Sequence, residues 1–212
     1  MTDLQTAGYR EPKQDRSART LHRIVEAAER LLVIEGPDAL SMRRLATELG
    51  TSYQVVYTRI GGKADVVRAL HDDGFARLTR AAADASEDRE ADDLVAFAQS
   101  YFDFAERHPV LFDVMMGMPI PEFVRDERAR KVEWEGFRAT WVAACRAWLD
   151  ARLPERPRGA SVRLAWRLWT AVHGITVVHL AGHPSPSGDA RAEIARVVEL
   201  LLREPAGLSA PL

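Results

Sequence analysis

Apolar residues that recur every three to four positions, broken again and again by Gly and Pro, constrain this chain more than any other feature. Leu21, Ile24, Val25, Ala28, Leu31 and Leu32 repeat at helical spacing until Gly36-Pro37, where Gly suits a left-handed cap and Pro blocks continuation. Ser41 can cap a short helix that stops at Gly50, and Ser52 caps another through about Tyr57. A fourth helix starts near Lys63 and runs into the eighties. Others are expected at about 93–107, 109–117 and 121–152, with Pro109, Pro119 and Pro121 as punctuation. Beyond Pro154 and Pro157 comes a nearly all-round apolar helix at about 160–182. A final amphipathic one carries Ile194, Val197, Val198, Leu201 and Leu202. No useful strand-like alternation and no repeat interrupts this pattern, so the fold is expected to be all-α.

Composition narrows the class. With 47% hydrophobic and 28% charged residues, the chain reads as globular rather than disordered. One cysteine, Cys145, excludes an internal disulfide framework and a cysteine-rich zinc module. The stretch from Ala160 to Gly182 contains Arg163, Arg167 and His173 and is too polar for a membrane span. The N-terminus lacks the basic-then-apolar order of a signal peptide. A cytoplasmic protein with no membrane partner is expected. Net charge is −2 overall. Residues 1–70 hold 11 Lys/Arg against 9 Asp/Glu, and 29 − 11 against 31 − 9 leaves 18 against 22 for residues 71–212. That asymmetry is small, so the placement of cations matters more than their sum.

The segment Ser41–Lys63, SMRRLATELGTSYQVVYTRIGGK, pairs two short helices across a Gly-containing turn, the pattern of a helix-turn-helix. Ala46 is small enough for close helix packing, and Gly50 can take the positive φ of the turn. Val56 faces inward with Leu45, Leu49 and Ile60. Tyr53, Gln54, Tyr57 and Thr58 are left on the outer face, where a major groove can be read.

Together with Arg23-Ile24-Val25, Ala27-Ala28 and Gly36, the residues Ser41, Leu45-Ala46, Gly50, Ser52, Tyr57 and Lys63 resemble the DNA-binding domain of TetR-family regulators over about 19–70. Thr51, Val55, Arg59 and Ile60 depart from the family's usual Val, Thr, His and Phe. The resemblance implies phosphate contacts from Ser41, Tyr57 and Lys63, with Arg43 and Gln54 as candidate base readers. Ser52, Tyr53, Thr58 and Arg59 complete the expected DNA-binding set. His108-Pro109-Val110-Leu111-Phe112, Met115-Met116-Gly117, Leu168-Trp169 and His173-Gly174 resemble a C-terminal domain type named for a Trp-His-Gly signature. That implies a helical effector-binding and dimerisation domain.

The expected organisation is a flexible basic arm over 1–16 (Arg10, Lys13 and Arg16), a helix-turn-helix domain over 17–71, and a helical ligand-binding and dimerisation domain over 72–212. The last two helices, including the Ile194/Val198/Leu201 stripe, are the expected homodimer surface. Phe102, Met115, Met116, Trp134, Phe137, Trp141, Trp169 and His173 are the candidate ligand-binding residues for a small apolar or aromatic effector. Expected partners are double-stranded DNA with a palindromic or pseudo-palindromic operator, the effector, and a second copy.

No cofactor, metal site or catalytic residue is expected. His179 and His183, four apart, lack a nearby third ligand in sequence. No nucleophile elbow, phosphate loop or His-Glu-x-x-His run is present. The alternatives to a repressor are a helical interaction module that no longer binds DNA, or an enzyme.

Overall fold

The computed structural model describes residues 13–87, 93–116, 120 and 123–203, and its described elements are all helical. They run α1 (Lys13–Glu35), α2 (Met42–Glu48), α3 (Tyr53–Ile60), α4 (Lys63–Glu87), α5 (Leu94–Arg107) and α6 (Pro109–Met116). There follow α7 (Glu127–Phe137), a π turn (Arg138–Val142), α8 (Ala143–Arg152), α9 (Ala160–Leu180) and α10 (Ala190–Arg203). The chain divides into two compact units between Leu70 and His71, and residues 120, 123 and 124 join the first.

In the first unit α1 starts at Lys13, four residues before the expected domain boundary at Ser17. Lys13-Gln14-Asp15-Arg16 offers no hydrophobic spacing to read. The arm residues before Lys13, Arg10 included, lie outside the described residues. Ile24, Val25, Ala28, Leu31 and Leu32 of α1 are buried with Leu45, Ala46 and Val56 and with Val66, Val67 and Leu70 of α4. Leu49 and Ile60 are only half-buried. Ile120 is 3% exposed, and the Arg68 guanidinium lies 5.7 Å from the Phe123 ring centroid. Residues 120, 123 and 124 therefore belong with this unit, although they are distant in sequence.

Local chemistry sets the boundaries. Ser41 Oγ accepts from the Arg44 N–H at 3.2 Å, and Ser52 Oγ from the Val55 N–H at 3.4 Å. Gly50 (φ 62°) lets its own N–H reach Thr47 O at 3.0 Å and the Thr51 N–H reach Ala46 O at 2.9 Å. Those two bonds close a Schellman motif between α2 and α3. The helix expected from 121 begins instead at Glu127, because Asp126 Oδ1 accepts from the Ala129 N–H at 2.9 Å.

In the second unit α5, α9 and α10 pack together. Leu94, Ala98, Phe102 and Ala105 of α5 are buried there, as are Leu164, Leu168 and Val172 of α9. Ile194 and Val198 are fully buried in this core, so the α10 stripe expected to face a partner packs inside its own chain. On α9 and α10 the large apolar residues left exposed are Trp166, Val177, Val178 and Leu200. Gly74 brings α4 against α6: a Cβ there would lie 2.5 Å from Met115 Cγ. No described helix is long and apolar enough to cross a membrane.

Candidate functional site

Two places concentrate chemistry, one in each unit. On α3 only Val56 is buried, while Tyr53, Val55 and Tyr57 are 45%, 47% and 49% exposed. An eight-residue helix that shows three large apolar or aromatic side chains to solvent offers a contact surface rather than a solvated face. Tyr53 and Tyr57 stack with ring centroids 5.9 Å apart. Gln54 is exposed beside them. Thr58 is exposed too, but its Oγ1 donates back to Gln54 O at 2.8 Å. Ser41 and Ser52 are exposed, and each hydroxyl caps its helix.

Ion pairing separates the cations around this helix. Arg44 bridges Glu35 of α1 at 2.5 Å and approaches Glu48 at 3.8 Å. The hydrogen bond to Glu35 holds its pKa above the ordinary value. Arg44 therefore clamps α1 to α2 and is not a plain solvated charge. Arg43 and Arg59 are exposed and have no carboxylate partner among the described residues. Arg59 and Arg23 of α1 line one small groove together with Ile24, Leu49 and Val56. Arg23 was not among the expected contact residues, because only folding brings α1 beside the end of α3. Lys63 begins α4 and is half-buried, and just before it the Gly62 N–H donates to Asp65 Oδ2 at 2.8 Å.

The second place is a cavity of about 390 Å3 within the larger unit. Phe75 and Leu78 of α4, Tyr101 of α5 and Met116 of α6 line it, with Arg125 from the loop that follows. Arg130, Glu133, Trp134, Gly136, Phe137, Thr140 and Trp141 come from α7 and the π turn, and Trp166, Trp169 and His173 from α9. The π turn is a local widening of the kind that recurs at functional sites. It carries Thr140 and Trp141 onto the same wall as Trp134 and Phe137.

Of the eight expected ligand-binding residues, Met116, Trp134, Phe137, Trp141, Trp169 and His173 are brought together in this wall. Phe102 and Met115 are not. Phe102 is buried with its ring 5.1 Å from that of His179, and Met115 is fully buried against Gly74. Their helical spacing could not separate cavity from core, because both are apolar. Phe75, Trp166 and the charged trio Arg125, Arg130 and Glu133 complete the wall from elements that sequence spacing does not connect.

Several polar groups in the wall bond to one another, whereas the buried Trp141 Nε1–H has no partner among the described residues. Trp169 Nε1 donates to Tyr101 Oη at 3.4 Å, and Tyr101 Oη lies 3.0 Å from His173 Nδ1. Burial lowers the His173 pKa from its ordinary value and pushes the Tyr101 hydroxyl up, so both are neutral near pH 7. Glu133 Oε1 accepts from Arg125 Nε at 2.8 Å and lies 3.2 Å from Nε2 of the fully buried His71, on α4. His71 Nδ1 is 3.1 Å from Asp72 Oδ1. His179 pairs with Glu106 at 3.1 Å, and no cluster of three metal-binding groups occurs among the described residues.

A helix-turn-helix unit followed by a helical unit with an aromatic cavity defines a class of transcriptional regulator. Residues 24–70 match the model for bacterial regulatory proteins of the tetR family, and residues 94–201 match the tetracyclin repressor-like C-terminal domain. The chain belongs to the TetR family of transcriptional regulators. It is 33% identical over 117 residues to the HTH-type transcriptional repressor DrrR1 of Streptomyces coeruleorubidus, covering 55% of this chain and 43% of that protein. It is 28% identical over 168 residues to an HTH-type transcriptional regulator of Mycobacterium tuberculosis, covering 75% and 69%. Its fold is similar to that of a tetR-family regulator from Streptomyces coelicolor (TM-score 0.69, 17% identity, 90% and 83% covered). It is also similar to the fold of SmeT in its triclosan complex (TM-score 0.61, 17% identity, 92% and 99% covered).

Proposed function

We propose that this chain is a repressor that binds a two-fold operator as a homodimer, with an operator affinity changed by a small aromatic effector in the cavity. The observation that carries the DNA-binding part is the outer face of α3, where Tyr53, Gln54 and Tyr57 are exposed together beside Arg43 and Arg59, which have no carboxylate partner among the described residues. Arg matches the paired acceptors of guanine and Gln those of adenine, each good pair giving about 1–3 kcal/mol of discrimination. Ser41, Tyr57, Lys63 and Arg59 are assigned to phosphates, and Ser52, Tyr53 and Thr58 to the remaining contacts. The relative DrrR1 is a transcriptional repressor, and the SmeT complex with triclosan pairs a chain of this fold with an aromatic molecule.

The dimer is assigned to the exposed line Trp166, Val177 and Val178 on α9 with Leu200 on α10. Gly174 sits within that line, and a Cβ there would meet nothing within 4 Å, so another helix can approach closely. Two recognition helices must sit about 34–36 Å apart to enter successive major grooves on one face of DNA. The proposed coupling uses α4, which begins at Lys63 and supplies Phe75 and Leu78 to the cavity wall. An effector that favours one arrangement of that wall shifts the population of α4 positions and with it the spacing of the heads.

The test is binding of the purified protein to DNA upstream of its own gene across a salt series, with Tyr57→Ala/Lys63→Ala as control. Site-selective binding that weakens steeply with salt and falls at least tenfold in the control supports the reading. If no selective binding is found there or in a genome-wide selection of sites, the repressor assignment gives way to a helical interaction module.

A further inference from the structure

The hydrogen-bond chain in the cavity wall has a direction, and that direction selects a ligand. The Trp169 indole can only donate, so its N–H points to the Tyr101 oxygen. Tyr101 is 2% exposed, and its own O–H needs an acceptor. His173 Nδ1, 3.0 Å away, supplies it when the ring is neutral. In that arrangement the His173 proton must sit on Nε2. That N–H has no hydrogen-bond partner among the described residues, and its ring forms part of the cavity wall. The ring cannot swing freely, because Trp169 stacks on it at 5.2 Å with planes 21° apart.

The rest of the wall adds shape and charge. Trp134 and Phe137 stack at 5.6 Å, and Phe137 meets Trp166 and Trp169 edge-on at 6.1 and 5.7 Å, giving flat apolar faces. Arg125 is held by Glu133 and by the Met115 carbonyl. Arg130 is held by the Arg125 carbonyl at 2.9 Å and has no carboxylate partner among the described residues. With two cations and one carboxylate, the wall favours a ligand rich in acceptor oxygen over a cationic one.

We propose that the cavity recognises planar aromatic carbonyl compounds, with His173 Nε2–H donating to the carbonyl oxygen and the Trp169–Tyr101 pair fixing the tautomer that makes this possible. This deepens the effector reading and rests on it for biological meaning, though the recognition is testable without DNA. A flat system of about three fused rings fits a cavity of this size, which falls in the ordinary range for small-molecule sites.

The experiment compares 9-fluorenone with fluorene, which has the same rings but a methylene in place of the carbonyl. Four of the five tryptophans line the cavity, so quenching of their emission reports occupancy. Fluorenone is expected to bind at least tenfold tighter than fluorene to the full chain. In His173→Phe that preference is lost while fluorene affinity is kept. His173→Gln, which retains an N–H donor, restores part of it. Tyr101→Phe, which frees the ring to carry its proton on either nitrogen, reduces the preference by a smaller factor and tests the chain of bonds if His173→Phe does not fold.

Equal affinity of the two compounds, quenching by neither, or a preference that survives in folded His173→Phe overturns the proposal. Operator affinity with and without fluorenone separates the two readings. Fluorenone that binds through His173 yet leaves operator affinity unchanged counts against the effector role and leaves the recognition intact.

Discussion

Close packing at Gly74 and burial at His173 each make a measurable demand on the fold. At Gly74 a Cβ would lie 2.5 and 2.6 Å from Met115 Cγ and Sδ. Gly74→Ala is therefore expected to overpack the α4–α6 contact and lower stability by about 1–3 kcal/mol, read from urea unfolding. The gain in helix propensity, about 1 kcal/mol, opposes this but does not remove the clash. His173 makes a different demand. Its pKa is lowered by burial, so the unfolded chain binds a proton more readily than the folded one. The sign follows. Stability is full above the unfolded value of about 6.5 and falls as pH drops from there through the lower folded value. Melting temperature measured from pH 8 to pH 5 should show that decline, and His173→Gln should lose the part of it due to this ring. Cys145 is fully buried, with its thiol pushed up by desolvation, so it belongs to the core rather than to redox chemistry.

At the scale of elements, the turn between α2 and α3 sets how the outer face of α3 is presented. Gly50 takes φ 62° to make both Schellman bonds. Gly50→Ala keeps open space around the new Cβ but forces a left-handed L-residue, at a cost of about 1–2 kcal/mol. A lower midpoint in chemical unfolding, together with weaker operator binding, is the expected result. An unchanged midpoint would show that the turn relaxes into another conformation. Much of this unit is legible in sequence because its signals are local: Ser41 and Ser52 as caps, Gly36 and Gly50 as stops, Val56 as the inward residue of α3. The start of α7 is less legible. Pro121 is a plausible first helical residue, but Asp126 caps Glu127 and starts the helix six residues later.

For the whole molecule, the exposed apolar line on α9 and α10 is what distinguishes a folded monomer from the proposed dimer. Val178, 51% exposed, is expected to be covered by the partner. Val178→Glu should leave helical content unchanged, shift the sedimentation coefficient toward that of a monomer, and weaken operator binding by more than tenfold, because two heads no longer act together. If the wild-type chain sediments as a monomer at micromolar concentration, the two-fold operator model fails with it.

What the sequence determined by itself were properties that depend on near neighbours: the all-helical class, the caps and stops, and the residues of the helix-turn-helix. These depend on bonds between residues three to five apart, so their physics is written along the chain. Tertiary structure decided which apolar side chains face a cavity, a core or solvent. Phe102 and Met115 look like Trp134 and Met116 in sequence, yet the first two are core and the others line the cavity. Ile194 and Val198 form the strongest stripe on α10, yet folding turns them inward and leaves Leu200 outside. The bonds that Tyr101 makes with Trp169 and His173 join α5 to α9 across about 70 positions, a separation at which no spacing rule operates. Helical period says that a residue is apolar and on a face, and only the packing of other helices decides what that face meets.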